Sequence, residues 1–270
     1  ASKEFTDGMR NRWIIIVTLL MAGLALILAL LGSAPTGSTK FSALAVTIVS
    51  LSSLSIFFVP LIALLLSYDS VVAESDRGTL MLLLAHPIAR WHVIAGKFLG
   101  HLSLLSIAII AGYGIAGLTI AAVSEQDWAE QAWSGFLGLI GSSILLGAVF
   151  LAFGLMISAR VRERGTAAGL AIGVWLLFVL VYDLGLIALL ASGVGEMLND
   201  GLISLLLLAN PTDVYRMLNL TGSSETAILS GMAGLAGPGS HPGWVLVALL
   251  AGWVAVPFAA ACRFFSRRQL

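Results

Sequence analysis

Long apolar runs separated by short polar stretches form most of this chain. A helix needs about 20 apolar residues to cross the hydrocarbon core of a bilayer. Six runs come close to or exceed that length, and we predict six transmembrane helices at residues 13–31, 42–66, 98–123, 136–157, 167–190 and 244–264. The chain is therefore predicted to be an all-α integral membrane protein with one transmembrane domain, residues 1–270.

Residues 191–243 have a different pattern, because their apolar runs are short. Ile203–Ala209 and Ala227–Ala236 are too short to span, and Asn210-Pro211-Thr212-Asp213 is typical of a helix start. We predict short helices that lie in the outer interface or dip into it. An additional span in this region is the alternative.

Composition supports a membrane protein. The chain is 59% hydrophobic and only 10% charged, with a mean hydropathy of +1.02, whereas soluble domains carry about 25% charged residues. The formal net charge is 0, which gives no indication of nucleic-acid binding. Cys262 is the only cysteine, so the chain has no internal disulfide.

The positive charges predict the orientation, because cytoplasmic loops collect Lys and Arg. Six spans would place twelve basic residues on one side and only Lys40 and Arg216 on the other. The twelve are Lys3, Arg10, Arg12, Arg77, Arg90, Lys97, Arg160, Arg162, Arg164, Arg263, Arg267 and Arg268. We therefore expect both termini to be cytoplasmic.

The segment Tyr68–Lys97, here called the charged segment, interrupts the apolar sequence between the predicted second and third spans. Within it, Thr79–Leu84 is strongly apolar and precedes His86-Pro87. Thr79 can cap a helix, and proline disfavours a helical residue before it. We predict a short amphipathic helix at Thr79–Leu84 that is suited to docking onto a partner.

Two further features lie around the start of the fifth span. Gly165, Gly169 and Gly173 are four residues apart, a spacing that lets helix backbones approach closely. They predict either packing within one chain or a seam between two copies. Arg160, Arg162 and Arg164 form a basic turn, which is either a second cytoplasmic contact or an anchor at the membrane lipid surface.

No catalytic or metal site is predicted. Gly32-x4-Gly37 resembles a phosphate-binding loop but has Ser38 where that loop requires lysine. The four histidines lack metal-ligand spacing. Asp183 is the one acid inside a predicted span, about 25 Å of helix rise beyond Thr166. It has either an interfacial or helix-pairing role or a role in proton-coupled transport.

The charged segment resembles a motif of the membrane subunits of ABC-2-type exporters. That motif has an acid, then Arg-Gly-Thr, leucines, Pro-x-x-Arg and Gly-Lys before the third span. The matching residues here are Glu74, Arg77, Gly78, Thr79, Leu80 to Leu84 (Leu80, Leu83 and Leu84 as groove-filling positions), Pro87, Arg90, Gly96 and Lys97. The six-span layout and the long outer segment before the last span also agree.

The resemblance implies a permease subunit in a bacterial inner membrane, with no enzymatic activity and no cofactor of its own. A separate cytoplasmic ABC ATPase would bind ATP and Mg, the Thr79–Leu84 helix would couple to it, and a second copy of the chain would present a second such helix to a second ATPase subunit. Residues 3–13 (KEFTDGMRNRW) and 210–220 (NPTDVYRMLNL) resemble permeases that serve nitrous oxide reductase maturation. That similarity implies a periplasmic copper-delivery partner.

Alternatives remain open on the sequence alone. The chain could be a stand-alone secondary transporter or channel that uses Asp183, or a scaffold that only transmits ATPase strokes to an outer partner. The cargo could be a sulfur species, a lipid, a peptide or copper.

Overall fold

The structure, a computed structural model, describes residues 22–23, 26–27, 43–78, 89–123, 130–192, 199–220 and 241–268. Within these ranges all regular structure is helical, in agreement with the all-α prediction. The elements are α1 (Ala43–Ser67), α2 (Val72–Asp76), α3 (Arg90–Val123), α4 (Glu130–Arg160), α5 (Arg164–Leu176), a π-helical turn (Leu177–Val181), α6 (Tyr182–Ala191), α7 (Asp200–Leu208), α8 (Pro211–Leu220) and α9 (Gly243–Arg267).

Five helical stretches in the described ranges are long and apolar enough to cross a membrane. They are Ile48–Asp76, Arg90–Thr119, Trp133–Arg160, Arg164–Ala191 and Gly243–Arg267, which overlap the predicted second to sixth spans. The predicted first span lies almost wholly outside the described residues, and so does the predicted Thr79–Leu84 helix. The count of six spans therefore stays a prediction.

Helix α4 is the centre of the bundle. It makes its most extensive contacts with α9 and α1, followed by α3. Glycines on α4 allow two of these approaches: a Cβ at Gly147 would lie 2.3 Å from Cδ2 of Leu105 on α3, and one at Gly154 would lie 2.0 Å from Oγ of Ser67 on α1. The neighbouring helices thus pack directly against the α4 backbone.

Gly154→Ala should destabilise the protein by about 2 kcal/mol, because the added methyl would overpack the α1–α4 contact. The same Cβ would also lie 3.3 Å from the backbone nitrogen of Tyr68, which cannot move like a flexible side chain. The free energy of unfolding in detergent measures the effect. Gly141→Ala on the same helix meets nothing within 4 Å and should be neutral or slightly stabilising; equal losses in both variants would contradict the packing argument.

Short helices follow the long stretch Arg164–Ala191, as predicted, and the structure describes α7 and α8. Asn210 precedes α8, where its Oδ1 accepts the backbone N–H of Thr212 at 3.1 Å. Most of α8 is buried, against α1, α4 and α9, and the Tyr215 hydroxyl is 2.9 Å from Oγ of Ser143 on α4. Helix α8 is therefore packed into the helix bundle, and its placement relative to the outer interface stays a prediction.

Candidate functional site

A buried ion pair joins α2 to α3 at the base of the charged segment. Nζ of Lys97 lies 2.8 Å from Oε1 of Glu74, and the two side chains are only 4% and 18% exposed. Ionised groups so far from water remain charged only when they are paired and hydrogen-bonded. The pair therefore fixes the short helix before the predicted docking element to the long helix after it.

Arg90 joins the start of α3 to the end of α9. Its Nη1 donates to the backbone carbonyls of Phe265, Ser266 and Arg268, at 3.2, 3.2 and 2.9 Å. The last carbonyls of a helix have no partner within the helix, and a cation suits the negative end of its dipole. Arg90 thus caps the last long helix and is held by it.

The predicted basic turn lies between α4 and α5, and its three arginines differ in environment. Arg164 contacts α2, since its Nε lies 3.2 Å from Oδ2 of Asp76 and its Nη2 donates to the carbonyl of Ala73 at 3.2 Å. Arg160 is exposed and stacks over the Phe264 ring, 5.9 Å from the centroid. Arg162 is exposed. Arg164 is thus the member of this turn that supports the charged segment.

The chain leaves α2 through a glycine turn toward the predicted docking helix. Arg77 is exposed, and Gly78 has a φ of +71°, the left-handed conformation that commonly ends a helix. Side chains with a Cβ are disfavoured there, which explains the glycine in Arg77-Gly78-Thr79. Thr79, Leu80, Leu83, Leu84 and Pro87 lie outside the described residues. Of the predicted ATPase-coupling residues, the structure thus brings together Glu74 and Lys97, holds Arg90 against α9 and leaves Arg77 exposed.

The small-residue stripe of α5 faces away from the described part of the bundle. Gly165, Gly169 and Gly173 are exposed, and a Cβ at any of them would meet no described atom within 4 Å. The apolar part of Arg164–Ala191 is only 11% buried, compared with 61% for that of Trp133–Arg160. Among the described residues, the stripe therefore has no packing partner within one chain.

A second polar cluster, here called the NPTD clamp, lies against the far half of the long stretch Arg164–Ala191. It consists of Asn210, Thr212, Asp213 and Arg216 together with Asp183. Nδ2 of Asn210 and Oγ1 of Thr212 both donate to the carbonyl of Phe178, at 3.0 and 3.1 Å. Phe178 belongs to the π-helical turn, a form that disturbs the regular backbone pairing of a helix. The start of α8 thus satisfies a backbone acceptor of the π-turn.

Arg216 carries the charge of the NPTD clamp. Its Nη2 donates to Oδ2 of Asp183 at 2.7 Å, and its Nη1 donates to Oδ1 of Asp213. Asp213 lies on α8, outside the five long stretches, and burial raises its pKa to about 6, although Arg216 lowers it. The carboxylate is therefore largely ionised at neutral pH. The ion pair favours the helix-pairing role of Asp183 over the transport role.

The sequence indicated this cluster only in pieces. Asn210–Asp213 indicated a helix start, and Arg216 counted as an isolated outer charge. An acid and a base three residues apart, Asp213 and Arg216, were the signal that the sequence offered. Within the described ranges, no group of three or more His, Cys, Asp or Glu residues could hold a metal ion.

Comparison with known proteins identifies the family. A family model described as "ABC-2 family transporter protein" matches residues 1–270. The chain belongs to this family. It is 45% identical over 268 residues to the "Probable ABC transporter permease protein NosY" of Stutzerimonas stutzeri, covering 99% of this chain and 97% of the relative. The protein of the same description from Pseudomonas aeruginosa is 42% identical over 270 residues, covering 100% and 98%.

Membership in the ABC-2 family makes the chain a transport subunit and a multi-pass membrane protein. It agrees with the resemblance carried by Glu74, Arg77-Gly78-Thr79 and the residues that follow. The charged segment is therefore the part of this ABC-2 chain to consider for energy coupling.

Proposed function

We propose that this chain is the permease subunit that couples ATP hydrolysis by a separate cytoplasmic ATPase to movement of its transmembrane helices. The supporting observation is the buried Glu74–Lys97 ion pair, because it joins α2 to α3, the two helices on either side of the predicted docking helix. Leu80, Leu83 and Leu84 would fill a groove on the ATPase, as the apolar face of an amphipathic helix does. ATP and Mg would bind to the partner, and this chain would bind no cofactor.

Force on the charged segment then has defined routes into the bundle. The Glu74–Lys97 ion pair connects α2 to α3, and the Arg164–Asp76 ion pair connects α2 to α5. The hydrogen bonds of Arg90 connect the start of α3 to the end of α9. Rigid connections of this kind are needed if closure of an ATPase dimer is to tilt the spans. The excess of basic residues on the side of the charged segment supports a cytoplasmic location for it and for both termini.

A second copy of the chain belongs to the proposal. The supporting feature is the exposed stripe Gly165, Gly169 and Gly173, which meets no described neighbour. Small residues four apart promote close helix association within a bilayer, where the hydrophobic effect between helices is absent. Two copies would present two charged segments to two ATPase subunits.

The relatives' description as NosY permeases supports a narrower proposal. In it, the chain serves copper-site maturation of nitrous oxide reductase and acts with a periplasmic copper-delivery protein. The complex would either export a cargo or transmit ATPase strokes to that partner. Sulfur species, copper and lipid are the cargo classes to test.

Purification of the tagged chain from its native membrane in mild detergent, followed by mass spectrometry, tests the proposal. We expect a stoichiometric soluble ATPase, and a periplasmic copper-binding protein if the narrower proposal is correct. A chain that purifies alone and shows no nucleotide-dependent change would overturn the ATPase proposal. Asp183 would then become the first residue to mutate.

Arg77→Glu should uncouple ATP hydrolysis from output while leaving membrane insertion intact. Arg77 is exposed beside the predicted docking helix, so charge reversal would place like charges at the proposed contact. We expect nitrous oxide reductase maturation to fall about tenfold or more in cells that carry only the variant. Arg263→Glu, an exposed arginine on α9, is the matched control, and normal maturation with Arg77→Glu would contradict the coupling role.

A further inference from the structure

Two backbone N–H groups at the start of helix α2 donate to a side chain of another helix. The first N–H groups of a helix lack intrahelical partners, and no side-chain cap bond is made by the α2 N-cap residue, Val71. The N–H groups of Val71 and Val72 instead donate to Oγ of Ser158 on α4, at 2.9 and 3.2 Å. All three residues are fully buried. A single hydroxyl therefore fixes the start of the helix that leads to the predicted docking helix.

The backbone carbonyl of Ser158 has a partner on the chain's C-terminal side. It accepts Nη1 of Arg268 at 3.2 Å, and the Arg268 carbonyl in turn accepts Nη1 of Arg90 at 2.9 Å. Arg90 is the first residue of α3, the helix that follows the predicted docking helix. Hydrogen bonds thus run from α2 through Ser158 and Arg268 to α3, and both ends of residues 77–89 are connected through one residue of α4.

We propose that Ser158 is a positioning residue for energy coupling, an assignment that rests on the proposed function of the charged segment. Its hydroxyl sets where the segment leaves the bundle, and its carbonyl, through Arg268, sets where the segment returns. Force on the segment is thereby transmitted to α4, the helix with the most extensive contacts. Without the hydroxyl, the segment still binds an ATPase, but less of its displacement reaches α4.

Hydrogen exchange tests the geometric part in the purified chain without any partner. In Ser158→Ala we expect the Val71 and Val72 amides to exchange about tenfold faster, because two buried N–H groups lose their acceptor. Ser143→Ala is the matched control: Ser143 is a fully buried serine on the same helix, and it bonds Tyr215 instead. Unchanged exchange in Ser158→Ala, or the same acceleration at these amides in Ser143→Ala, would overturn the assignment.

A nucleotide response tests the coupling part in the permease–ATPase complex. An environment-sensitive fluorophore is attached through Ser192→Cys in a Cys262→Ser background, since Ser192 is exposed at the far end of α6. ATP with vanadate should change its emission in this reference chain. Adding Ser158→Ala should clearly reduce that change while the ATPase still co-purifies, whereas adding Ser143→Ala should preserve it.

The outcomes separate this inference from the proposed function. A full response in Ser158→Ala, or an equal loss in Ser143→Ala, would overturn the positioning role and leave the ATPase proposal standing. Failure of the reference chain to co-purify with any ATPase would overturn the proposed function, and the coupling role of Ser158 with it. A cargo-independent response is used, so neither result depends on what the complex transports.

Discussion

Lys97→Met should destabilise the folded chain by about 3 kcal/mol, one of the two largest effects that we expect. The substitution keeps the aliphatic stem but removes the ammonium group 2.8 Å from Glu74, in a site where Lys97 is 4% exposed. A carboxylate left in such a site without its cation loses the interaction that offsets its desolvation. The free energy of unfolding in detergent measures the loss.

The double variant Glu74→Gln/Lys97→Met is the control for Lys97→Met. Replacing both charges removes the ion pair without leaving an uncompensated charge, and such replacements are often close to neutral. We therefore expect the double variant to recover most of the lost stability. If the single and double variants are equally unstable, packing of the lysine stem, rather than its charge, is what stabilises this site.

Arg216→Ala should have the other large effect, also about 3 kcal/mol. It would leave the carboxylates of Asp183 and Asp213 together without the guanidinium that both now contact. Arg216→Lys should recover only part of the stability, because an ammonium group cannot reproduce the two-pronged geometry of arginine. Thermal unfolding of the purified chain compares the two variants, and full recovery by lysine would contradict the bridging role.

The loss in Arg216→Ala should depend on pH. Burial raises the pKa of Asp213 to about 6, above its ordinary value of 3.8, and Arg216 opposes that rise. The folded state therefore binds this proton more tightly than the unfolded state, so stability falls as pH rises through this window. Without Arg216 the pKa rises further, and the deficit of the variant should be larger at pH 8 than at pH 5.5. A deficit that is the same at both pH values would contradict the assignment.

The long helices were predictable because a run of about twenty apolar residues forms few structures in a membrane other than a transmembrane helix. Helix α3 nevertheless begins at Arg90, eight residues before the predicted span at 98–123. Hydropathy measures only where a helix enters hydrocarbon, and the polar turn from Arg90 to Lys97 continues the same helix outside it. Span boundaries and helix boundaries are therefore different physical quantities.

The candidate site was predictable as a segment but not as a set of contacts. The sequence indicated that Glu74, Arg90 and Lys97 belong together. It could not indicate that Arg90 caps α9, because that bond joins residues 175 positions apart. Ser158 gave no signal, since serine is common in transmembrane helices and its role depends on the buried N–H groups of another helix.

The π-turn at Leu177–Val181 shifts which side chains share a face of the long stretch Arg164–Ala191. A π-turn accommodates one additional residue, and one residue corresponds to about 100° of rotation around a helix axis. The side that carries Gly165, Gly169 and Gly173 therefore does not continue into α6, where Asp183 turns toward Arg216. Two copies that meet along these glycines would pack closely only in the half nearest the charged segment, and their far halves would be free to diverge.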